Sequence, residues 1–410
     1  MNAGIVVVGA GQAACQLAAS LRQLGYQGPL TLVGAEPHLP YQRPPLSKAC
    51  LQGAGALPDL LLRPATFYES IQCRLLLGRS VVAVDPGAKT VRLDDGETLA
   101  YTQLVLATGA AARDWPGLPQ QPGLVYTLRT WDDAQALGRR LDQVRHLAVL
   151  GAGYVGLEVA ASARKRGVQV SVFEAAPRVL QRSVGTATSA LIESLHRAQG
   201  VALHLGVRME SVRVDAAAGH VLLNTSAGGF TADALLVGIG AAPRIALAQQ
   251  AGLQCGQAIR VDAACRTSDA DVFAIGDCAE QVLEPGADPV RLESVPNATE
   301  QAKCVAAVLA GKPLPAQPVP WFWSDQFGHR IQVAGRSAPG DEIVVRRGLA
   351  KPAAQSTWYL RGGRVAAVEA VDAAEDFMAA RQWIKAGQRV DPARLADPHT
   401  ALRDVTAAIA

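Results

Sequence analysis

The feature that most limits what this chain can fold into is a turn that occurs twice. Gly9-Ala-Gly-Gln-Ala-Ala14 and Gly151-Ala-Gly-Tyr-Val-Gly156 each follow a short apolar run, Ile5 to Val8 and His146 to Leu150. Each opens a stretch of helical spacing, as far as Leu24 in the first case and from Tyr154 to Arg166 in the second. A second apolar run follows in both, Leu30 to Val33 and Val168 to Phe173, and then an acidic residue, Glu36 or Glu174. The chemistry of a dinucleotide explains this grammar. The first glycine permits a tight strand-to-helix turn, the second lets backbone approach a pyrophosphate, and a small third residue lets helix and strand pack closely. The helix N-terminus adds unpaired N–H groups and partial positive charge. The carboxylates follow the first glycines by roughly 25 residues, close to the spacing of a ribose-binding acid. One copy would fit an ordinary glycine-rich αβ turn. Two complete copies predict an α/β protein that binds two dinucleotides.

The bulk composition narrows the class. The 410 residues suit two or three domains, and 49% hydrophobic with 18% charged residues supply large cores and exclude wholesale disorder. A formal net charge of +3 argues against nucleic acid as a partner, while a local basic face would still suit an acidic protein. Met1 to Gly4 runs into the first strand without a basic leader segment, and no apolar run reaches membrane-spanning length. The expectation is a soluble, cytoplasmic protein with no membrane partner, a monomer or weak homodimer. The cysteines at 15, 50, 73, 255, 265, 278 and 304 form no Cys-x-x-Cys pair and no tight cluster with histidine. Neither a structural metal site nor a dithiol is expected, and scattered free thiols fit a reducing compartment.

Taken in order, Pro40-Tyr-Gln-Arg-Pro-Pro-Leu-Ser-Lys48 reads as a proline-stiffened loop, and residues 57–79 carry no clear pattern. Val81 to Val84 and Thr90 to Leu93 predict a hairpin, and Leu104 to Gly109 a buried strand. Asp114 to Pro122 reads as a linker, followed by a helix after Leu128-Arg-Thr-Trp-Asp-Asp133. Past the second fingerprint, a helix is predicted over Ala187 to Ala198. Strands are predicted over Val201 to Leu205, Arg208 to Val214, His220 to Thr225 and Ala234 to Gly240. Asp271 to Asp277 is a further apolar strand ending on Gly276-Asp277, and a helix capped by Ser294 or Asn297 runs to Leu309. Prolines between 313 and 320 mark a boundary. Beyond it lies an α+β module with strands near Arg330, Glu342, Ser356 and Val365, a helix over Ala373 to Lys385, and a tail helix from Thr400 to Ile409.

Six motifs in this order resemble one family along nearly the whole chain: Gly9-x-Gly-x-x-Ala14, Arg43-Pro-Pro-Leu-Ser-Lys48, Ala107-Thr-Gly109, Gly151-x-Gly-x-x-Gly156, Gly276-Asp277 and Trp321-Phe-Trp-Ser-Asp-Gln326. The family is that of the FAD-dependent ferredoxin reductases serving bacterial oxygenases, within the pyridine nucleotide-disulfide oxidoreductase superfamily. The resemblance implies two Rossmann-like domains of the glutathione reductase type plus a C-terminal α+β interface domain. FAD would be bound by residues 1–112 and 243–315, NAD by 113–242, and the interface domain would span 316–410. For FAD it implies Gly9, Gly11, Ala14, Val81, Ala107, Thr108, Gly109 and Gly276 around the nucleotide. It also implies Glu36 on the adenosine ribose, Arg43 near the phosphates, Arg129 on the adenine side, Asp277 on the ribitol chain and Val295 offering backbone to the flavin. Lys48 would stand beside flavin N5, paired with Glu158, and Trp323 would contact the flavin. For NAD it implies Gly151, Gly153, Tyr154, Val155, Gly156, Glu158, Glu174 and Gly240. An ordinary surface ion pair is the plainer reading of Lys48 and Glu158. Core packing is the plainer reading of Trp321 and Trp323.

Glu174 predicts NADH over NADPH, because a carboxylate bonds a ribose hydroxyl and repels a 2′-phosphate, with Arg178 and Arg182 close enough in sequence to soften the preference. Disulfide reductases of this superfold carry a cysteine pair that is missing here. Cys50 lies two residues too late to align with the single reactive thiol of the oxidases. The expected reaction is hydride from NADH to FAD, then two one-electron transfers to an acidic two-iron–two-sulfur ferredoxin. Lys303, Arg330, Arg346, Arg347 and Lys351 are docking candidates. An NADH oxidase or peroxidase, and an NADH-sensing flavoprotein like apoptosis-inducing factor, are the alternatives. Ser294-Val-Pro-Asn297 leans toward ferredoxins of monooxygenases and Leu395-Ala-Asp-Pro398 toward those of dioxygenases, so the oxygenase stays open.

Overall fold

The computed structural model describes residues 3–118, 123–282, 288–349 and 353–406. Lys351, the end of the 114–122 linker and the last residues of the tail helix therefore lie outside the described residues. The chain forms two compact units: residues 1–42, 56–111 and 241–318 make the first, and 43–55, 112–240 and 319–410 the second. Packing thus groups the Arg43–Gly55 loop with the second fingerprint rather than the first, and groups the C-terminal module with it too.

In the first unit, strand Gly4–Val8 lies between Leu30–Gly34 and Thr98–Leu106, parallel to both. Cys73–Leu77 extends the sheet beyond Leu30–Gly34, and Val272–Ala274 pairs in parallel with Thr98–Leu106. Gly4–Val8 and Val272–Ala274 are short, apolar and buried along their whole length, as strands covered on both sides must be. Val81–Asp85 and Thr90–Leu93 form the expected antiparallel hairpin, which joins the lower half of Thr98–Leu106. Helix Gln12–Gln23 places Ala14, Leu17, Ala18 and Leu21 in the core beside Ala302, Val305 and Ala306 of helix Val295–Leu309. The alanines among them, Ala14, Ala18, Ala302 and Ala306, let the two helices lie close.

The second unit holds a five-stranded parallel sheet, in the order Val201–Leu205, Gln169–Glu174, His146–Leu150, Ala234–Val237, Val125–Tyr126. Helix Tyr154–Lys165 follows the second turn, and every buried position in it except Glu158 is small or apolar, which suits contact with the sheet beneath it. An antiparallel trio, Met209–Asp215, His220–Thr225 and Gly228–Ala232, packs over this sheet through Val212, Val221 and Leu223. Gly228–Ala232 escapes the sequence reading because its two glycines hide the alternation. The C-terminal module is a five-stranded antiparallel sheet backed by helix Ala374–Ala386. One of its two edge strands is Trp321–Gln326, read in the sequence only as a motif. Thr188 and Thr357 share a hydrogen bond of 3.1 Å, and Glu369 Oε1 accepts from Gly185 N at 2.9 Å. The module is therefore fastened to helix Thr186–Ala198 through buried polar pairs.

Candidate functional site

In the first unit the turn after Gly4–Val8 is set by close approach. Gly9 has φ +126°, and a Cβ there would lie 2.1 Å from Ala107 O. Its N–H donates to Val33 O at 2.7 Å, and Ala107 N donates to Val8 O at 2.8 Å, so the ends of three strands meet at this turn. Ala14 is fully buried against the sheet. Gly11 is the N-cap of helix Gln12–Gln23, and a Cβ on it would meet nothing within 4 Å. No side chain caps this helix and no acidic residue occupies its first turn. Unpaired N–H groups opening on free space fit a pyrophosphate.

Further residues of this unit line up along the same strand ends. Glu36 follows Leu30–Gly34, and its Oε2 accepts from the Tyr41 hydroxyl at 2.5 Å. Thr108 Oγ1 donates to Arg244 O at 2.7 Å, and Gly109 O accepts from Arg244 N at 2.9 Å. Gly276, at φ +76°, donates its N–H to Gln301 Oε1 at 2.7 Å, and Asp277 sits in the short turn Gly276–Cys278. Val295 begins helix Val295–Leu309, whose cap is Ser294, not Asn297: Asn297 N donates to Ser294 Oγ at 3.2 Å. Val81 opens the hairpin.

The second unit repeats the turn with tighter tolerances. Gly151 has φ +103° and would place a Cβ 2.6 Å from Gly238 O; a Cβ on Gly156 would lie 2.1 Å from Gly151 O. Gly153 caps helix Tyr154–Lys165, again with open space before it and no side-chain cap. Glu174 bends its carboxylate over this turn, accepting from Ala152 N and Ala176 N, each at 2.8 Å. Arg178 is committed to the backbone, donating to Val184 O at 2.6 Å and Gln181 O at 3.0 Å. Arg182 lies beside Gly240. Val155 is 41% exposed at the mouth of the turn. The Tyr154 ring meets Phe322 edge-on at 5.0 Å, and its hydroxyl is buried without a hydrogen-bond partner. Burial first, and then the charges of Glu369 and Glu158, push the Tyr154 phenol well above its usual range.

Arg43, Lys48, Arg129 and Trp323 also belong to the second unit. Arg43 Nη1 donates to Arg129 O at 2.5 Å, and Arg129 N in turn donates to Asp133 Oδ2, the carboxylate of a capping box with Thr130. The short helix Pro44–Ser47 delivers Lys48 to helix Tyr154–Lys165, where Lys48 Nζ lies 2.8 Å from Glu158 Oε1. This is not the surface ion pair of the plainer reading. The side chains are 18% and 7% exposed, and an ion pair that deep is held only by further hydrogen bonds. They come from Ser47 Oγ, which donates to Glu158 Oε2, and Ser324 Oγ, which donates to Glu158 Oε1, both at 2.5 Å. Sequence reasoning missed Ser324, since the only signal was a polar residue inside an aromatic motif. Trp321 packs into the C-terminal core beside Phe377, whereas Trp323 stands 5.6 Å from it, half-buried and outside that core.

One expectation changes. Arg346 is 9% exposed and donates to the carbonyls of Leu395, Asp397, Pro398 and Thr400, so it clamps the C-terminal segment and is not a docking residue. Lys303 and Arg330 are exposed but ion-paired to Glu300 and Asp325, and Arg347 is exposed. Burial pushes the Cys50 thiol up, away from a reactive thiolate, and all seven cysteines are free. Among the described residues no helix is long and apolar enough to cross a membrane, and no group of three or more acidic, histidine or cysteine ligands could hold a metal.

Comparison with known proteins agrees over the whole length. Residues 3–302 match the pyridine nucleotide-disulphide oxidoreductase model, and residues 321–406 match the reductase C-terminal model. Rhodocoxin reductase of Rhodococcus erythropolis is 41% identical over 396 residues, covering 96% of this chain and 92% of that one. The ferredoxin--NAD(+) reductase component of the anthranilate 1,2-dioxygenase system of Burkholderia cepacia is 40% identical, with 97% and 98% covered. The crystal structure of the covalent putidaredoxin reductase–putidaredoxin complex superposes with a TM-score of 0.94 at 38% identity, covering 99% of both chains. With two glycine turns of dinucleotide geometry, a deep Lys48–Glu158 pair and these full-length matches, the chain belongs to the pyridine nucleotide-disulphide oxidoreductase family, in the branch that carries the reductase C-terminal domain.

Proposed function

We propose that the chain is an NADH-dependent ferredoxin reductase: FAD occupies the first unit, NADH the second, and electrons leave to an acidic two-iron–two-sulfur ferredoxin that supplies an oxygenase. The observation that carries this reading is the combination of two open, uncapped glycine turns with a set of cysteines that are free and, at Cys50, buried. When bound, FAD supplies the conversion of a two-electron hydride donor into two one-electron transfers.

The residues divide the remaining work. Gly9, Gly11 and the first turn of helix Gln12–Gln23 hold the FAD pyrophosphate, with Glu36 on the ribose and Asp277 on the ribitol hydroxyls. The start of helix Val295–Leu309 presents N–H groups and partial positive charge to the ring edge that becomes anionic. Gly151, Gly153 and Gly156 admit the NADH pyrophosphate, and Glu174 takes the ribose hydroxyl by exchanging its bonds to Ala152 and Ala176. Since Arg178 is spent on backbone carbonyls, it offers little to a 2′-phosphate, and NADH is preferred. Lys48 supplies the cation that favours the reduced ring, and Glu158 fixes where that cation stands. Trp323 provides the half-buried aromatic surface on the exit side, and exposed Arg347 offers charge that attracts an acidic partner, more than Arg330 and Lys303, which are paired with carboxylates.

Steady-state turnover tests the reading. NADH oxidation should be slow with oxygen or peroxide alone, rise steeply on adding a two-iron ferredoxin, and fall as salt screens the docking charges. Fast peroxide consumption with no response to ferredoxin would replace it with the peroxidase reading.

A further inference from the structure

The edge strand Trp321–Gln326 turns alternate side chains onto the second dinucleotide segment, and each rung makes a separate contact. Phe322 meets Tyr154, Ser324 donates to Glu158, and Gln326 Oε1 bonds His196 Nε2 at 2.8 Å. Gln326 Nε2 donates back to Ser324 Oγ at 3.0 Å. The result is a buried chain of hydrogen bonds, Lys48–Glu158–Ser324–Gln326–His196, in which the Glu158–Ser324 bond alone joins residues 166 apart in sequence.

The proton directions in this chain are fixed by inventory. A carboxylate only accepts, so the single Ser324 proton points at Glu158 and its oxygen is left to accept from the Gln326 amide. The Gln326 carbonyl oxygen must then accept from His196, which makes Nε2 the protonated nitrogen. That assignment matches the unpartnered His196 Nδ1. Behind Glu158, therefore, stands a one-way series of donors. In front of it, Ser47 holds the other carboxylate oxygen, so the carboxylate plane is clamped from two sides and Lys48 Nζ is left one position, between Glu158 Oε1 and Pro44 O at 3.1 Å.

We propose that Ser324 is a positioning residue for the Lys48 ammonium, with Gln326 and His196 fixing the direction of its hydrogen bond, so that the C-terminal sheet tunes the flavin through Glu158. The inference rests on the role given to Lys48 under the proposed function. A serine that merely fastened the sheet would affect stability and leave the flavin unchanged.

The test measures the FAD midpoint potential and the melting temperature of the holoenzyme, anaerobically and without ferredoxin. Ser324→Ala should lower the potential by about 30 mV, a tenfold change in a two-electron equilibrium. Ser324→Thr, which keeps the hydroxyl, should restore it. In a Lys48→Met background the Ser324→Ala shift should disappear, as expected for two residues acting through one interaction. Gln326→Met, which frees the Ser324 hydroxyl to turn, should give a smaller shift of the same sign and serves if Ser324→Ala cannot hold FAD. An unchanged potential in Ser324→Ala, or in Gln326→Met where that variant stands in, overturns the proposal, as does a shift that persists with Lys48→Met. Lys48→Met alone leaving the potential unchanged would instead remove the role of Lys48, and a wild type that reduces no ferredoxin would remove the functional reading.

Discussion

The two glycine turns use one grammar with different margins. In the first, the third small residue is Ala14, fully buried yet accommodated. In the second, a methyl group at Gly156 would lie 2.1 Å from Gly151 O, so only glycine fits. The acidic partners differ as well. Glu36 is held by a tyrosine hydroxyl, whereas Glu174 closes back on the turn it serves. Their neighbours differ most: helix Gln12–Gln23 packs on another helix of its own unit, and helix Tyr154–Lys165 is bonded to a sheet strand from the far end of the sequence. The fingerprint thus specifies the turn but not its tolerance or its surroundings, and those surroundings are where the two sites diverge.

The comparison breaks most visibly at its third position. Gly156→Ala should destabilise the second unit by about 3 kcal/mol or more, because a backbone oxygen cannot yield as a side chain does. Denaturant melts and NADH titration would show it, and a fully stable, NADH-binding variant would refute the tight turn. Next comes the titratable pin on the second side. Burial lowers the His196 pKa from 6.5 to about 4. The unfolded chain therefore binds a proton first as pH falls, so the contribution is complete above pH 6.5 and lost by about pH 4. The stability advantage of the wild type over His196→Gln should shrink by about 3 kcal/mol across that window. A pH-independent difference would show that His196 is not buried neutral.

Smaller effects sharpen the contrast. Glu174→Ala should reduce the kcat/KM preference for NADH over NADPH by about tenfold, the worth of one charged hydrogen bond at the low end of its range. An unaltered ratio would place cofactor choice elsewhere. Ala14→Gly, the mirror image of Gly156→Ala, should cost only about 0.5–1 kcal/mol through helix entropy. A cost equal to that of Gly156→Ala would mean that the two turns share one tolerance after all.

Much of this was legible in the sequence because the informative signals are local. The strand, turn, helix and acidic residue of each unit sit within a short stretch, and the hairpin at Val81–Asp85 and Thr90–Leu93 follows from alternation. What was hidden is long-range or depends on burial. Charge alone cannot distinguish Arg346, clamped on four carbonyls, from exposed Arg347. Residues 57–79 hold the short helix Ala65–Ser70 and the strand Cys73–Leu77, too brief for periodicity to reveal. Ser324 reads as an interruption of an aromatic run until the fold places it on Glu158.

Anaerobic double-mixing stopped flow tests the central claim most directly. The holoenzyme is reduced with NADH, then mixed with a two-iron ferredoxin, either Rieske-type or cysteine-ligated, while flavin and cluster absorbance are followed together. The account predicts flavin reoxidation in step with reduction of two equivalents of at least one ferredoxin, without any thiol being consumed. Flavin that stays reduced in the presence of both ferredoxins, yet reoxidises rapidly with peroxide, would contradict it.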